Sequence, residues 1–243
     1  MPVVESGLTA APPQDKARRV RDMFGAIAGR YDLMNRLMTG GRDAAWRREA
    51  VVLAALPAGG RALDVGTGTG DFLPLLANAA PDASAIGVDF TWGMMAAGRD
   101  KLARQGGVTT FAAADALALP FPDDSFDAVV NGFLLRNVAD LPLALAEMAR
   151  VTRPGGRVVC LEITRPTLPV FRTVFRFYFH RLVPVIGGLI SGRRGAYAYL
   201  PQSVDRFVSP DGLTHLLTAV GLRDVRYRRL GLGAVTLHVG VKP

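Results

Sequence analysis

The sequence predicts an α/β protein: a doubly wound, mostly parallel sheet with helices on both faces, preceded by helices and carrying a late helical insertion. Three observations predict it. Between residues 57 and 165, apolar runs of strand length alternate with stretches of helical periodicity. The first of those runs, Leu63-Asp64-Val65, empties into glycines at alternate positions, Gly66, Gly68 and Gly70, which then open a helix. The composition, 49% hydrophobic and 21% charged over 243 residues, suffices for one buried core with insertions and leaves disorder to the ends.

Taken in order, residues 1–15 are Pro, Ala and polar residues without apolar periodicity, and read as a mobile tail. From 16 to 56, Val20, Met23, Phe24 and Ile27, then Leu33, Met34, Leu37 and Met38, then Trp46, Ala50, Leu53 and Ala54 recur at three- and four-residue steps, which predicts N-terminal helices. After Pro57-Ala58-Gly59-Gly60 the pattern predicts strands over 61–66, 84–89 and 108–113, with helices over 71–79 and 93–105 between them. Strands over 126–132 and 157–163 flank a helix over 141–151 that Pro154-Gly155-Gly156 stops. Residues 166–207 break this rhythm, being helical and rich in aromatics. A helix over 211–219 and strands over 223–230 and 234–241 close the chain. The whole of 16–243 reads as one domain: N-terminal helices (16–56), a core (57–165), a helical lid (166–207) and a closing helix with strands (208–243).

A single cysteine, Cys160, lies in an apolar strand and has no partner for a disulfide, which points to a reducing compartment. No secretory signal pattern and no uninterrupted apolar stretch of about 18 residues is present, so the expectation is a cytoplasmic protein that does not span a membrane. The net charge of +8 suits an anionic partner, a nucleic acid or an acidic lipid surface, or simply a solvated basic surface. His180, His215 and His238 show no metal-ligand spacing, so no metal is expected, and His238 on a strand reads as structural.

The chemistry is most legible in the run from Leu63 to Asp71. A backbone that turns on Gly66 and Gly70 can approach a nucleoside-like cofactor closely. A nicotinamide dinucleotide would want a third glycine where this chain has Asp71 or Leu73, and a carboxylate there would face the pyrophosphate. S-adenosylmethionine, without phosphate, tolerates it. Asp89 ends the second strand, where a carboxylate can accept hydrogen bonds from both ribose hydroxyls. Asp115, after the third strand, can accept from an adenine amino group while Ala116 offers its backbone N–H. The alternative is that Asp64 and Asp71 cap local backbone and Asp89 is a turn residue.

Further runs, Arg30-Tyr31-Asp32-Leu33-Met34-Asn35, Leu119-Pro120-Phe121-Pro122, Leu135-Arg136-Asn137-Val138, Ala196-Tyr197-Ala198-Tyr199-Leu200-Pro201-Gln202-Ser203 and Gly233-Ala234-Val235-Thr236-Leu237-His238, occur in one order. With them, the chain from Met23 to Lys242 resembles the ubiquinone/menaquinone biosynthesis C-methyltransferases, a group of class I S-adenosylmethionine-dependent methyltransferases. The resemblance implies a Rossmann-like sheet with an antiparallel last strand, and a methyl-donor site lined by Thr69, Asp89, Asp115, Ala116 and Gly132 together with the Asp64, Gly66 and Gly70 loop. Where the family often has Ser, this chain has Gly132. Where the family has Phe-Gly-Leu-Arg-Asn, it has Phe133-Leu134-Leu135-Arg136-Asn137, which sets a bulkier Leu134 near the acceptor.

The implied reaction moves the sulfonium methyl group to a ring carbon of a prenylated hydroquinone, leaving S-adenosylhomocysteine. Arg136 is the candidate for stabilising charge on the ring oxygen, and Tyr31, Asn137 and Tyr197 for orienting the ring. The alternative readings are that the tyrosines only pack and that Arg136 binds a carboxylate. Another lipid or small phenol as acceptor, or RNA, are the rival substrates, although no Arg/Lys-rich run with interleaved aromatics stands out beyond the segment near Phe171–Arg181. In 170–183, Arg172, Arg176 and His180 fall at four-residue steps beside an apolar face of Phe171, Val174, Phe175, Tyr178 and Leu182. That is the pattern of an interfacial helix, which predicts peripheral contact with an anionic membrane at its inner face, or of a lid packed on the sheet. A homodimer stays open.

Overall fold

A computed structural model describes residues 13–104, 110–191 and 194–243. Most of the expected tail lies outside the described residues, but its last part does not behave as a tail: helix α1 begins at Pro13 and runs to Ile27, with proline at a position where a missing N–H is harmless. Helices α2 (Tyr31–Thr39) and α3 (Asp43–Ala54) complete the N-terminal group, α2 ending on Gly40 in the left-handed conformation.

Seven strands follow: β1 (Arg61–Val65), β2 (Ser84–Asp89), β3 (Thr110–Ala113), β4 (Phe126–Gly132), β5 (Thr152–Ile163), β6 (Arg223–Leu230) and β7 (Val235–Val241). They form one sheet in the order β3-β2-β1-β4-β5-β7-β6, the first five parallel and β7 antiparallel to both neighbours. The chain winds outward from β1 through β2 to β3, then returns to the other side of β1 for β4. The crevice where ligands bind in such sheets therefore lies above the ends of β1 and β4. The intervening helices are α4 (Leu73–Ala77), α5 (Trp92–Arg104) and α6 (Leu141–Val151), the last capped by Asp140, whose Oδ1 accepts from the Leu143 N–H at 3.0 Å.

Two elements differ from expectation. The helix predicted over 71–79 is shorter, a single turn and a half over Leu73–Ala77, with Leu73 and Leu76 buried. The helix expected to end at 151 does so, but strand β5 begins at Thr152 and not at 157, running through Pro154-Gly155-Gly156. The glycines act there as an irregularity between the Phe126–Thr152 and Ala128–Arg157 pairs, and the Gly155 N–H donates to the Lys242 carbonyl at 2.8 Å.

Period-two alternation places Ala62, Ala128, Val130 and Val159 on the face under α3, and Leu63, Val129, Val158 and Cys160 on the face under α6 and α10 (Pro210–Ala219). The lid consists of α7 (Pro169–Phe177), a wide π-type turn (Tyr178–Leu182), α8 (Val183–Ser191) and α9 (Arg194–Arg206). It packs on the N-terminal helices through a separate cluster of Ile27, Met34, Phe179, Val183, Tyr197 and Val204. No described helix is long and apolar enough to cross a membrane.

Candidate active site

The loop after β1 and the turn after β4 border two cavities. The first is lined by Gly66, Val88, Asp89, Asp115, Ala116, Leu117, Leu134 and Asn137, among others. Asp89 holds the glycine loop against the end of β2: its Oδ2 accepts from the Gly68 N–H at 2.9 Å and its Oδ1 from the Thr91 N–H at 2.7 Å. The Thr91 side chain and the Phe90 N–H also bond to this carboxylate. Burial pushes the Asp89 carboxyl up against the pull of those N–H groups. Asp115 is exposed, and its Oδ1 accepts from the Leu117 N–H at 2.9 Å.

Asp64 decides what kind of ligand suits the loop. It is buried, its Oδ2 accepts from the Thr67 hydroxyl at 2.6 Å, and its Oδ1 has no partner. Burial pushes its pKa up to about 7 against the Thr67 hydroxyl and the charge of Arg47, so ionising this carboxyl is costly in the free site. A ligand bringing an ammonium group relieves this, and a pyrophosphate aggravates it. S-adenosylmethionine, with an α-ammonium and a sulfonium, fits the residues present.

Leu134 lies elsewhere than expected. It packs on the glycine loop after β1 and lines the first cavity, not the one that gathers the candidate acceptor residues: a Cβ built on Gly66, at φ 68°, would fall 2.6 Å from the Leu134 Cδ1. Asp64, Thr69, Gly70 and Gly132 lie outside the cavity lining, Asp64 buried behind it. Gly70 packs against Phe111 and Gly132 against Phe72. Thr69 donates its hydroxyl to the Asp32 Oδ1 at 2.6 Å. That contact begins a chain of charges the sequence did not suggest. Lys101 bridges Asp32 at 2.8 Å and Asp71 at 2.7 Å, and Asp71 meets Arg47, which also pairs with Asp43 at 2.8 Å. Burial pushes Asp71 up, yet Arg47 and Lys101 hold its carboxyl below the ordinary range. Asp71 therefore fastens the loop to the N-terminal helices and does not merely cap backbone.

The second cavity, of about 100 Å³, brings together all four residues proposed from sequence for the acceptor: Tyr31, Arg136, Asn137 and Tyr197. Trp46, Phe133, Phe175, Phe179 and several methionines make the walls apolar, and Asp, Glu and His are absent from the lining. The geometry at its floor comes from Phe133, which adopts φ 61°, an uncommon conformation for an aromatic residue. Its N–H donates to the Leu161 carbonyl at 2.7 Å, while its own carbonyl accepts from Arg136 Nη1 at 2.7 Å and Asn137 Nδ2 at 3.1 Å. Arg136 does bind a carboxylate: its Nη1 pairs with the fully buried Glu162, which also accepts from the Arg136 and Ile163 N–H groups. The Arg136 Nε and the Asn137 Oδ1 are buried without partners, one donor and one acceptor. Burial pushes the Tyr31 hydroxyl up, opposed by its bond to Asn35 and by the charge of Arg136.

Asn137 lines both cavities. Asn35, Tyr199 and Glu162 escaped the sequence reading. Asn35 was signalled by its place one turn after Tyr31 in the same run, and Glu162 by being an acid in an otherwise apolar strand. The second cavity continues outward into a groove of about 330 Å³, sharing Met38, Trp46, Phe175 and Ala234 with it and lined further by Phe171, Val174 and Leu232. His238 is structural, as expected: it is buried with Nε2 3.0 Å from the Pro210 carbonyl oxygen, and burial pushes its pKa down to about 4. Among the described residues no group of metal-binding side chains is assembled.

A sequence profile described as the ubiE/COQ5 methyltransferase family matches residues 13–242. The chain is 52% identical to a demethylmenaquinone methyltransferase of Roseiflexus castenholzii, over 95% of this chain and 96% of that one. It is 47% identical to a ubiquinone/menaquinone biosynthesis C-methyltransferase of Geobacter sulfurreducens, over 94% and 90%. Among solved structures, an S-adenosylmethionine-dependent methyltransferase of Thermotoga maritima superposes with a TM-score of 0.65 at 20% identity, over 92% of this chain and 100% of that one, and so shares the fold.

Proposed function

The chain belongs to the ubiE/COQ5 methyltransferase family, and on that premise we propose that it transfers the methyl group of S-adenosylmethionine to a ring carbon of a demethylmenaquinol-like prenylated hydroquinone, with S-adenosylhomocysteine as the other product. The observation that carries this reading is the shared wall. Asn137 borders both the loop suited to an ammonium-bearing nucleoside and the apolar cavity that holds Arg136, so the two substrates meet across one residue.

When bound, S-adenosylmethionine supplies an electrophilic methyl group. Asp64 receives its ammonium, Asp89 its ribose hydroxyls, and Asp115 with Ala116 its adenine. On the acceptor side, the aromatic and methionine walls exclude water around the ring. Arg136 Nε donates to one ring oxygen and Asn137 Oδ1 accepts from a hydroxyl, so two unpartnered buried groups of opposite kind match a hydroquinone. The Arg136 charge is shared with Glu162, so it stabilises the ring oxygenate by hydrogen bonding more than by net charge. A guanidinium is a poor proton acceptor and the lining holds no carboxylate or imidazole, so water takes the phenolic proton. Tyr31 and Tyr197 complete the walls. The outer groove gives the prenyl tail a route to the surface near α7, where the protein meets the inner face of the membrane that dissolves its acceptor.

The test is transfer of labelled methyl from S-adenosylmethionine to a short-chain demethylmenaquinol, analysed by mass spectrometry. Label on a ring carbon is the expected result. Label on oxygen, or on RNA and not on quinol, overturns the reading.

A further inference from the structure

We propose that the lid holds a binding site for the phosphate headgroup of an anionic phospholipid, formed by Arg165, Arg172, Arg176 and His180 beside the acceptor cavity. The inference rests on the reading that the acceptor is a prenylated quinol dissolved in a bilayer. These side chains line a pocket of about 300 Å³ on the side of α7 away from the tail groove. Arg172, Arg176 and His180 follow one another at single-turn intervals along α7 and the π-type turn. Arg165 comes from the end of β5 across the pocket, its guanidinium steadied by the carbonyls of Asp205 at 3.2 Å and Phe207 at 3.3 Å.

Like charges at four-residue spacing repel, and the one acid in the lining, Asp205, is engaged by His180 at 3.2 Å. Neither Arg172 nor Arg176 makes an ion pair among the described residues. Guanidinium groups converging in this way fit the oxygens of a phosphate, which they bind through planar forks. The surroundings specify a lipid. Phe175 and Phe179 separate this pocket from the acceptor cavity, lining both. Around α7, Leu168, Val170, Val174 and Phe177 are exposed, an apolar rim that water disfavours and an acyl layer accepts. A headgroup seated in the pocket turns this rim toward the bilayer and brings the cavity to its substrate.

The experiment is sedimentation of the full chain with phosphatidylcholine vesicles, with and without phosphatidylglycerol, alongside turnover of a tail-free soluble quinol. Arg172 is exposed and unpaired, so its replacement spares the fold. Arg172→Gln and Arg172→Lys are both expected to weaken binding to phosphatidylglycerol vesicles by about tenfold, the loss of a charge-assisted hydrogen bond, with soluble turnover unchanged. Arg181→Gln, which removes an exposed charge from the same turn but not from the pocket, should weaken it by less than about twofold. If Arg172→Lys binds like wild type, or Arg181→Gln matches Arg172→Gln, attraction is diffuse and there is no site. Stabilisation by inorganic phosphate without vesicle binding, or Arg172-dependent binding to single-stranded RNA without vesicle binding, also overturns the proposal. Failure of wild type to methylate the soluble quinol is a separate result, which would fall on the methyltransferase reading.

Discussion

At the level of single residues, the site depends on buried groups whose partners are incomplete. Arg136 is held by Glu162 and the Phe133 carbonyl through Nη1, while its Nε is buried without a partner, the group assigned above to the acceptor oxygen. Lysine in its place can keep the ion pair but has no second nitrogen along the stem. Arg136→Lys is therefore expected to lower kcat by about 10²-fold, as for a misplaced reacting group, with the affinity for S-adenosylhomocysteine unchanged. Calorimetry of the product and steady-state kinetics separate the two, and a collapse of product binding would make Arg136 a structural residue. Asp64 gives a pH signature. Its pKa is raised from the ordinary 3.8 to about 7, so the folded protein keeps the proton longer than the unfolded chain does, and its contribution to stability is lost as pH rises through about 7. An arriving ammonium favours the ionised form, so methyl-donor affinity should rise about tenfold per pH unit below 7 and level off above it, with proton release on binding. Titration in buffers of different ionisation enthalpy measures that release, and Asp64→Asn should abolish it. Asp64 and Arg136 were both legible in the sequence, Asp64 from its place before the glycines and Arg136 by resemblance. Their incomplete pairing was not, because it depends on Glu162 and Thr67 lying where only the packed sheet puts them.

At the level of elements, alternation of strand and helix made the core readable, and the errors fall where tertiary packing overrode a local signal. Pro154-Gly155-Gly156 would stop a helix or strand in isolation, but β5 continues because the Lys242 carbonyl takes up the Gly155 N–H. The lid is the opposite case. Its helical periodicity and its basic stripe beside an apolar face were plain, but that α7 divides an apolar groove from a basic pocket depends on Arg165 and Asp205, which other segments bring in. Helices α8 and α9 cross at Gly187, where an added Cβ would lie 2.2 Å from the Tyr197 ring. That ring is buried and lines the cavity assigned above to the acceptor. Gly187→Ala should thus lower stability by about 1–3 kcal/mol, as overpacking does, and raise KM for the quinol more than it lowers kcat. Thermal denaturation and kinetics on the soluble acceptor test this, and a variant with wild-type Tm and KM would show that the crossing is looser than the contact implies.

For the molecule as a whole, the fold class followed from sequence pattern, but the union of Tyr31, Arg136, Asn137 and Tyr197 in one cavity is a product of topology, since no periodicity relates positions so far apart. The same topology couples the two substrates. The methyl-donor loop reaches α2 through Thr69 and Asp32, and Lys101 ties Asp32 to Asp71. Helix α2 in turn supplies Tyr31, Asn35 and Met38 to the acceptor cavity and packs against the lid through Met34. A ligand that steadies the loop therefore steadies the acceptor wall, and the linkage must act in both directions. In wild type, S-adenosylhomocysteine is expected to slow amide hydrogen exchange in the loop and also across Tyr31–Thr39. Asp32→Ala removes both links to α2 at once, the acceptor of the Thr69 hydroxyl and the partner of Lys101. In that variant protection should stay confined to the loop, and the product should no longer improve affinity for the quinol. If protection in wild type stops at the loop, or spreads to α2 undiminished in the variant, the charge chain does not carry the coupling.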